Sequence, residues 1–527
     1  MIIYFFLLNL ISNLSFCIYD SSLWAIMCMI GLAALVAYLE DFITGFRNNS
    51  MWQGCTLIIF SVIHVILIVV DYFLLTQFGM VCNQDVIDIL FETNVEQTND
   101  FIQSYFSLPY VLGICLSVTI FIVLSWLLNK LIKNKIVKSV IAIFAIGGII
   151  VVSYCVYSFV RYGNGVSVPQ YLAPARVAWA LKTLDQRQKS VNKLKDVCSN
   201  VESFCDLRNA PTIIVVIGES FSVYHCSLYG YDKATFPLLE KKEKDGNLFV
   251  MQDVVCVADA THRNMKAIFS LGEGDVDFDT KPLFPAVFKN AGYKTLMYDN
   301  QYFLGQGVTF LTDGELSSIL FDERNSHGYK YDGDMLEDVL KCEYPALYVF
   351  HLWGQHYTYA NRYPEAFSRF QKENYEVMEH ADVIAHYDNA NLYNDYVLNE
   401  IINKFEGDDA LLVYFSDHGE EVYELGYMGH GTAMTSGDFR YQLRVPMFIW
   451  MSDKFMERHN QIVKKIKDRK SWPLITSDIG HFLIDVAGIE TESFDSTRSF
   501  INSQYDKKRP RLVMGGWDYD KHVEALR

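Results

Sequence analysis

The chain has 527 residues, of which 51% are hydrophobic and only 20% are charged, and its mean hydropathy is slightly positive at +0.10. Residues 1–161 hold nine acids and six bases, whereas the rest of the chain holds 53 acids and 39 bases. An apolar front third and a charged remainder exclude a disordered chain, a fibrous repeat and a single small domain. The acidic surplus of the second part argues against a nucleic-acid partner, which needs a basic face.

Five apolar stretches in the first part predict an α-helical membrane domain, residues 1–161, with five spans. A helix needs about 20 apolar residues to cross a hydrocarbon core of about 30 Å. The stretches lie at about 2–18, 22–39, 55–79, 109–129 and 139–160. The third stretch contains His64 and Asp71, which inside lipid must either pack within the helix bundle or lie near an interface.

The charges of the loops predict the orientation of these spans. The loop between the fourth and fifth stretches carries four bases and no acid: Lys130, Lys133, Lys135 and Lys138. Loop 80–108, between the third and fourth stretches, carries five acids and neither Lys nor Arg. Because positive loops stay in the cytoplasm, everything after Arg161 is expected outside the membrane. Loop 80–108 is predicted to form amphipathic helices at the outer surface, as a structural plug or as a lid over the soluble domain.

The remaining residues predict a connector at 162–207 and a soluble domain at 208–527. Strands and helices alternate in that domain, which is typical of an α/β sandwich around a mainly parallel sheet. The strands are predicted at 211–217, 294–298, 344–351, 411–415 and 447–451. In such sheets, functional sites form at the carboxyl ends of the strands.

Acidic and histidine side chains follow the three strongest predicted strands. Glu219 follows the first strand, His351 to His356 the second, and Asp417 and His418 the third, with His430 a little further on. Carboxylates and imidazoles are the ligand set of Zn²⁺ and similar ions. A single buried histidine is usually a core residue. Three strand-end clusters of acidic and histidine residues, in a chain with only 13 histidines, instead predict a metal site.

A hydroxyl beside that metal is the expected nucleophile. Thr261 lies where a turn of small residues leads into a predicted helix, and the N-terminus of a helix favours negative charge. Coordination to a metal would activate the hydroxyl. A plain helix cap is the alternative interpretation. Ser220 is a rival nucleophile, but its surroundings lack the second glycine of the serine-hydrolase elbow.

Seven stretches carry a resemblance that covers nearly the whole catalytic domain, and the predicted spans extend it to the membrane part. They are Val216–Tyr231, Thr261–Met265, Tyr298–Gln301, His351–His356, Tyr387–Asp395, Ser416–Glu420 and Gly429–Gly431. With these stretches the chain resembles the membrane phosphoethanolamine transferases of Gram-negative bacteria, including the enzymes of lipid A modification and polymyxin resistance. The catalytic domain of that family has the alkaline phosphatase/sulfatase-like fold.

The resemblance implies a role for each matching residue. Glu219, Thr261, Asp417 and His418 match the zinc ligands, and Thr261 also matches the threonine that becomes phosphorylated. His356 and His430 match the histidines that hold the phosphoryl group or a second zinc, so one zinc ion or two are expected. The candidate substrate-binding residues are Thr93, Asn94, Asn300 and His351. The chain departs from the family at Ser220, where threonine is frequent, and after Asn300, where a substrate-binding lysine has no counterpart.

The implied activity is transfer of phosphoethanolamine from phosphatidylethanolamine to an envelope glycolipid such as lipid A, through a phospho-threonine. The enzyme would be a zinc-dependent multi-pass protein of the inner membrane, with its catalytic domain in the periplasm. Three alternatives remain open at this point. They are a phosphoglycerol transferase that uses phosphatidylglycerol, a sulfatase-like phosphodiester hydrolase, and a catalytically inactive membrane scaffold.

Overall fold

The structure is a computed structural model that divides into two compact units, Met1–Arg187 and Gln188–Arg527. It describes residues 1–20, 23–47, 49–78, 81–82, 86–87, 90, 98, 102, 108–131, 135–162, 172–273, 278–302, 310–343, 345–375, 379–431, 433 and 437–526. Most of loop 80–108 lies outside these residues. Two of the predicted substrate-binding residues, Thr93 and Asn94, also lie outside them.

The described part of the first unit is helical. Its helices are α1 (Ile2–Ser12), α2 (Leu14–Asp20), α3 (Leu23–Gly45), α4 (Ser50–Phe78), α5 (Leu108–Leu131), α6 (Lys135–Tyr162) and α7 (Ala173–Ser199), the last of which continues into the second unit.

The expected count of five spans is not confirmed. Among the residues that the structure describes, three helices are long and apolar enough to cross a membrane: Leu23–Gly45, Ser50–Thr76 and Lys135–Ser153. Ile2–Ser12 and the part of α5 from Cys115 to Leu131 are shorter apolar segments. The first predicted span is interrupted at Asn13, whose side-chain amide donates to the carbonyl of Asn9 at 2.6 Å and so ends α1. Hydropathy alone does not register such a break.

The two polar residues of the third apolar stretch are buried and have partners within the first unit. His64 lies between Glu40, 2.9 Å from its Nε2, and Ser12, 3.1 Å from its Nδ1. Asp71 forms an ion pair with Arg176 at the start of α7. Both pairs satisfy groups that would otherwise cost several kcal/mol in an apolar environment.

The second unit is built around a seven-stranded sheet of order β2-β10-β7-β1-β6-β4-β5. These strands are β1 (Thr212–Gly218), β2 (Leu248–Met251), β4 (Lys294–Asp299), β5 (Glu323–Arg324), β6 (Ala346–His351), β7 (Ala410–Ser416) and β10 (Met447–Met451). The five strands from β7 to β5 run parallel, and β10 is antiparallel to both β7 and β2. The predicted mainly parallel sheet is therefore confirmed.

Helices and short strand pairs surround this sheet. The helices are α8 (Pro237–Asp245), α9 (Thr261–Phe269), α10 (Phe284–Asn290), α11 (Gly314–Leu320), α12 (Ala381–Phe405), α13 (Arg440–Leu443), α14 (Asp453–Arg458), α15 (Asn460–Asp468), α16 (Ile479–Ala487) and α17 (Tyr519–Ala525). The strand pairs are β3 (Asp253–Val255) with β11 (Pro473–Ile475), β8 (Glu421–Val422) with β9 (Met428–Gly429), and β12 (Leu512–Val513) with β13 (Trp517–Asp518).

Both faces of the sheet are covered, which explains the unbroken apolar runs of its central strands. Alternate residues of β1 enter different cores: Ile213 and Val215 belong to the core that includes residues of α10 and α16, whereas Ile214 and Val216 belong to the core that includes residues of α12. The β-branched sequence of β1 is fully buried from Ile213 onwards. The two cores fix the sheet rigidly and leave its carboxyl-terminal edge to carry loops.

Candidate active site

The register of the sheet brings the predicted strand-end clusters together. On β1, Gly218 pairs with Ser416 of β7, and Ile217 pairs with His351 of β6. Since these strands are parallel, the residues that follow them emerge at the same edge. Glu219 and Asp417, each one residue beyond a paired position, are therefore neighbours although they are far apart in sequence.

Glu219, Asp417 and His418 form a buried cluster that can hold a metal ion. One ligand atom of each lies within 4.8 Å of the others. His418 Nε2 is 3.2 Å from Glu219 Oε1 and 3.5 Å from Asp417 Oδ2. All three side chains are buried. Two carboxylates and an imidazole converging in this way match the preferences of zinc.

Thr261 completes this cluster with a hydroxyl. It is the first residue of α9, and its Oγ1 donates to Glu219 Oε2 at 3.1 Å and lies 3.2 Å from His418 Nε2. The preceding residue is the N-cap, and no side chain caps the helix at that position. The plain helix-cap interpretation is therefore wrong for Thr261, whose hydroxyl donates to the Glu219 carboxylate.

The hydrogen bonds of His418 prepare it as a metal ligand. Its Nδ1 lies 2.8 Å from the carbonyl oxygen of Gly419, which can only accept, so Nδ1 carries the hydrogen and Nε2 faces the cluster. Burial lowers the pKa of His418, but the carboxylates of Asp417 and Glu219 outweigh it and raise the pKa to about 10. The carboxylates of Asp417 and Glu219 therefore favour a positive charge at His418 Nε2.

One carboxylate oxygen provides a test of whether a metal fits. Asp417 Oδ1 accepts from the backbone N–H groups of His418 at 2.7 Å and Ser220 at 3.3 Å. Asp417 Oδ2 is buried and has no hydrogen-bond partner among the residues that the structure describes. Burial, with the nearby charge of Glu219, raises the pKa of Asp417 to about 6. A buried, unsatisfied carboxylate oxygen 3.5 Å from the Nε2 of a neighbouring imidazole fits a cation site.

His430 and His356 lie near this cluster. The ring of His430 is 4.1 Å from that of His418, centroid to centroid, and its Nδ1 is 2.7 Å from Glu420 Oε2. His356 is buried, its Nδ1 has no hydrogen-bond partner within the described chain, and burial lowers its pKa to about 3. A neutral imidazole whose Nδ1 has no partner among the described residues is suited to bind an external ligand.

Comparison with known proteins identifies the family. The sulfatase family model matches residues 211–489. The phosphoethanolamine transferase EptC of Escherichia coli O18:K1:H7 is 31% identical over 479 residues, which cover 85% of this chain and 82% of that protein. This chain belongs to the sulfatase-like phosphoethanolamine transferase family.

Other relatives support the same family. The Kdo(2)-lipid A phosphoethanolamine 7''-transferase of Escherichia coli K12 is 27% identical over 263 residues, 46% of this chain and 45% of that protein. The zinc complex of the C-terminal periplasmic domain of Escherichia coli EptC covers 61% of this chain and 96% of its own, at 29% identity and a TM-score of 0.54. The integral membrane protein EptA of Neisseria meningitidis shares the fold, with a TM-score of 0.63 at 17% identity over 94% of this chain and 97% of its own.

Asn300 and His351, two of the substrate-binding residues predicted from the family resemblance, are buried and form hydrogen bonds within the protein. Asn300 donates to Asp332 Oδ1 at 2.9 Å and accepts from the backbone N–H of Tyr329 at 2.7 Å, so its amide holds a neighbouring loop. His351 Nδ1 lies 3.0 Å from Asp299 Oδ1, while its buried Nε2 has no hydrogen-bond partner in the described part of the chain. Burial lowers the pKa of His351, but Asp299 reverses this effect and raises it.

Sequence reasoning missed the contacts that three side chains make with the candidate site residues. Gln301 Nε2 donates to Glu219 Oε2 at 3.0 Å, and Ser220 Oγ donates to Glu219 Oε1 at 2.7 Å. Glu420 is the third, with its Oε2 beside His430 Nδ1. Gln301 and Glu420 lie inside stretches that carry the family resemblance, and position next to a strand end was the signal that could have identified them.

The backbone at Ser220 is strained, which marks it as part of the site. Its φ is +54°, which is unusual for a residue with a Cβ atom. The backbone N–H of Ser220 donates to Asp417, and its carbonyl accepts from the Tyr387 hydroxyl at 2.7 Å. These contacts hold the turn that presents Glu219. Ser220 therefore supports the adjacent Glu219, and its hydroxyl donates to that carboxylate.

Proposed function

We propose that this chain is a zinc-dependent phosphoethanolamine transferase, which moves phosphoethanolamine from phosphatidylethanolamine to an envelope glycolipid through a phospho-threonine at Thr261. The observation that carries the proposal is the position of the Thr261 hydroxyl. It lies within 3.2 Å of both Glu219 and His418, at the N-terminus of a helix. A hydroxyl that lies among metal ligands can be coordinated by the metal, and this coordination makes it a stronger nucleophile.

The residues that would hold zinc are Glu219, Asp417, His418 and Thr261. A bound zinc supplies positive charge, which lowers the pKa of a hydroxyl and screens phosphoryl oxygens. The zinc complex of the Escherichia coli EptC domain supports this assignment. The unsatisfied Asp417 Oδ2 supports it from the structure of this chain itself.

The first step is attack of Thr261 Oγ1 on the phosphorus of the donor lipid. The bond from oxygen to phosphorus forms, the bond from phosphorus to the glycerol oxygen breaks, and diacylglycerol leaves with a proton. In the second step an acceptor hydroxyl or phosphate displaces Thr261 from phosphorus and releases the free side chain. His356 and His430 bind the phosphoryl oxygens, and the N-terminal N–H groups of α9 favour the negative charge.

The acceptor is proposed to be a glycolipid such as lipid A. A relative is named a Kdo(2)-lipid A phosphoethanolamine transferase, and a protein of the same fold is named a lipooligosaccharide phosphoethanolamine transferase. Donor and acceptor would share one membrane surface with the enzyme, which shortens the search for both substrates.

The proposed location is the inner membrane, with residues 1–161 as a multi-pass domain, 162–207 as a connector and 208–527 in the periplasm. The four lysines at positions 130–138, around the junction of α5 and α6, and the acids of loop 80–108 support this orientation. The periplasmic domain of Escherichia coli EptC, which matches the second part of this chain, also supports it.

The test uses the purified full chain with vesicles that contain an acyl-labelled donor lipid. We expect labelled diacylglycerol from phosphatidylethanolamine and little from phosphatidylglycerol, and transfer of the headgroup when lipid A is added. Thr261→Ala should abolish product formation, whereas Thr261→Ser, which keeps a hydroxyl, should retain part of it. Equal use of both donors, or full activity of Thr261→Ala, would refute the proposal.

A further inference from the structure

Glu420 is a buried carboxylate beside the metal cluster that the proposed reaction leaves without a role. Its Oε1 accepts from the Tyr359 hydroxyl at 2.6 Å, and its Oε2 lies 2.7 Å from His430 Nδ1. Glu420 and Tyr359 are both buried. We propose that Tyr359 and Glu420 are positioning residues, which fix the tautomer and the orientation of His430 for its contact with the transferred phosphoryl group. This inference rests on the proposed function.

The tautomer of His430 follows from the chemistry of its partner. A carboxylate only accepts hydrogen bonds, so the ring nitrogen that faces Glu420 carries the hydrogen. Nε2 is then the ring nitrogen of His430 that is available to a ligand. His418 is arranged in the same way, since its Nδ1 donates to the Gly419 carbonyl and its Nε2 faces Glu219. Both histidines thus have one nitrogen fixed by the protein and the other directed to ligands.

Tyr359 connects this pair to the turn that presents the first metal ligand. Its ring packs edge-on against that of Tyr387, with 4.8 Å between the centroids. The Tyr387 hydroxyl donates to the Ser220 carbonyl at 2.7 Å and accepts from the Ser222 N–H at 2.8 Å. A continuous set of packed and hydrogen-bonded groups therefore joins His430 to the residue after Glu219. Such support keeps ligand-binding groups in a fixed relative position.

A second metal site is the competing interpretation of the same residues. One ligand atom each of His418, Glu420 and His430 lies within 4.8 Å of the others. Both oxygens of Glu420, however, already have short hydrogen bonds to Tyr359 and His430. Asp417 Oδ2 differs in having no hydrogen-bond partner among the described residues. The hydrogen bonds favour positioning by Glu420, and metal coordination by Glu420 becomes an outcome of the test.

A double-mutant cycle tests the inference, because a residue that acts through His430 has no effect once His430 is removed. We expect Glu420→Gln to lower kcat about 10- to 100-fold, with KM for the donor changed less. In a His430→Ala background the same substitution should change kcat less than about threefold. Tyr359→Phe, which removes only a hydroxyl and threatens folding least, should lower kcat about three- to tenfold and should also be silent in that background.

The matched control is Glu421→Gln, the next residue, which is buried and accepts from the Leu425 N–H. It should leave kcat within about threefold of wild type, since an amide oxygen also accepts. Each variant is measured on labelled phosphatidylethanolamine and on a chromogenic phosphodiester, and its zinc content is determined. If wild-type protein cleaves only the chromogenic ester, the proposed donor is wrong. The double-mutant cycle is then evaluated from the rates on that ester.

Two results would overturn the positioning role. Equal fold-losses from Glu420→Gln in the wild-type and His430→Ala backgrounds would show that Glu420 acts independently of His430. A lower zinc content of Glu420→Gln than of Glu421→Gln would show that Glu420 is a metal ligand. The inference is supported if Glu420→Gln leaves the zinc content unchanged and does not change kcat in the His430→Ala background.

Discussion

Substitution of Gly354 by alanine tests whether the placement of Glu219 governs metal binding. Gly354 has a φ of +52°, and a Cβ atom built on it would lie 2.9 Å from the backbone nitrogen and 3.0 Å from the carbonyl oxygen of Glu219. Ordinary contacts of a Cβ atom begin at 3.4 Å. The backbone of Glu219 must therefore move by about 0.5 Å, whereas metal ligands tolerate errors of about 0.2 Å.

The size of the effect follows from this displacement. Shifting one ligand is expected to weaken zinc binding about 10- to 100-fold, or about 1.4 to 2.8 kcal/mol, a range seen when the support of a ligand is lost. Activity should fall by up to about 100-fold, because small misplacements of reacting groups are costly. The left-handed backbone itself costs an alanine about 1–2 kcal/mol of stability, and the control must account for that cost.

Gly488→Ala is the matched control. Its φ is +65°, and a Cβ atom there meets nothing within 4 Å, so it bears the backbone cost without touching the site. Apo forms of the full-length variants are titrated with zinc against a chelating dye. Gly354→Ala should bind zinc more weakly than Gly488→Ala. Equal zinc affinities would refute the claim that contact with Glu219 sets the geometry of the metal site.

Two further predictions concern buried histidines. Burial lowers the pKa of His225, but Asp388 and Glu424 outweigh it and raise the pKa from 6.5 to about 9. The resulting stabilisation, at most about 3 kcal/mol, is present below pH 6.5 and lost as the pH rises through about 9. The thermal midpoint should fall across that window in wild type and less in His225→Gln; parallel curves would contradict this. In the first unit, His64→Ala should lower the thermal midpoint more than Glu40→Gln, since it leaves Glu40 Oε1 buried without its hydrogen bond to His64, at a cost of about 1–3 kcal/mol. Equal losses from the two variants would count against that hydrogen bond.

The metal cluster could be predicted from the sequence because its residues directly follow strands that unbroken apolar runs identify. The β-branched run of β1 and the apolar run of β7 are unambiguous, and parallel strands end at a common edge. That rule alone places Glu219 beside Asp417, as the pairing of Gly218 with Ser416 shows. Short strands such as β5, with two residues, carry no pattern of their own and were not predicted.

The supporting residues could not be predicted, because their contacts depend on the paths of loops. Gln301 reaches Glu219, and Tyr359 reaches Glu420, across separations of 82 and 61 residues. No periodicity encodes such contacts. The break in the first predicted span could not be predicted for a related reason: hydropathy averages over Asn13, where the first helix ends and whose side-chain amide donates to the Asn9 carbonyl.

The most direct test of the central claim is peptide mass spectrometry of the full-length protein after incubation with phosphatidylethanolamine and no acceptor. The account predicts a phosphoethanolamine group on the peptide that contains Thr261, and its loss when lipid A is added. Fragmentation should map the group to the Thr261 side chain, and Thr261→Ala should carry none. A modification on Ser220 instead, or turnover of the donor without any covalent adduct on Thr261, would contradict the account.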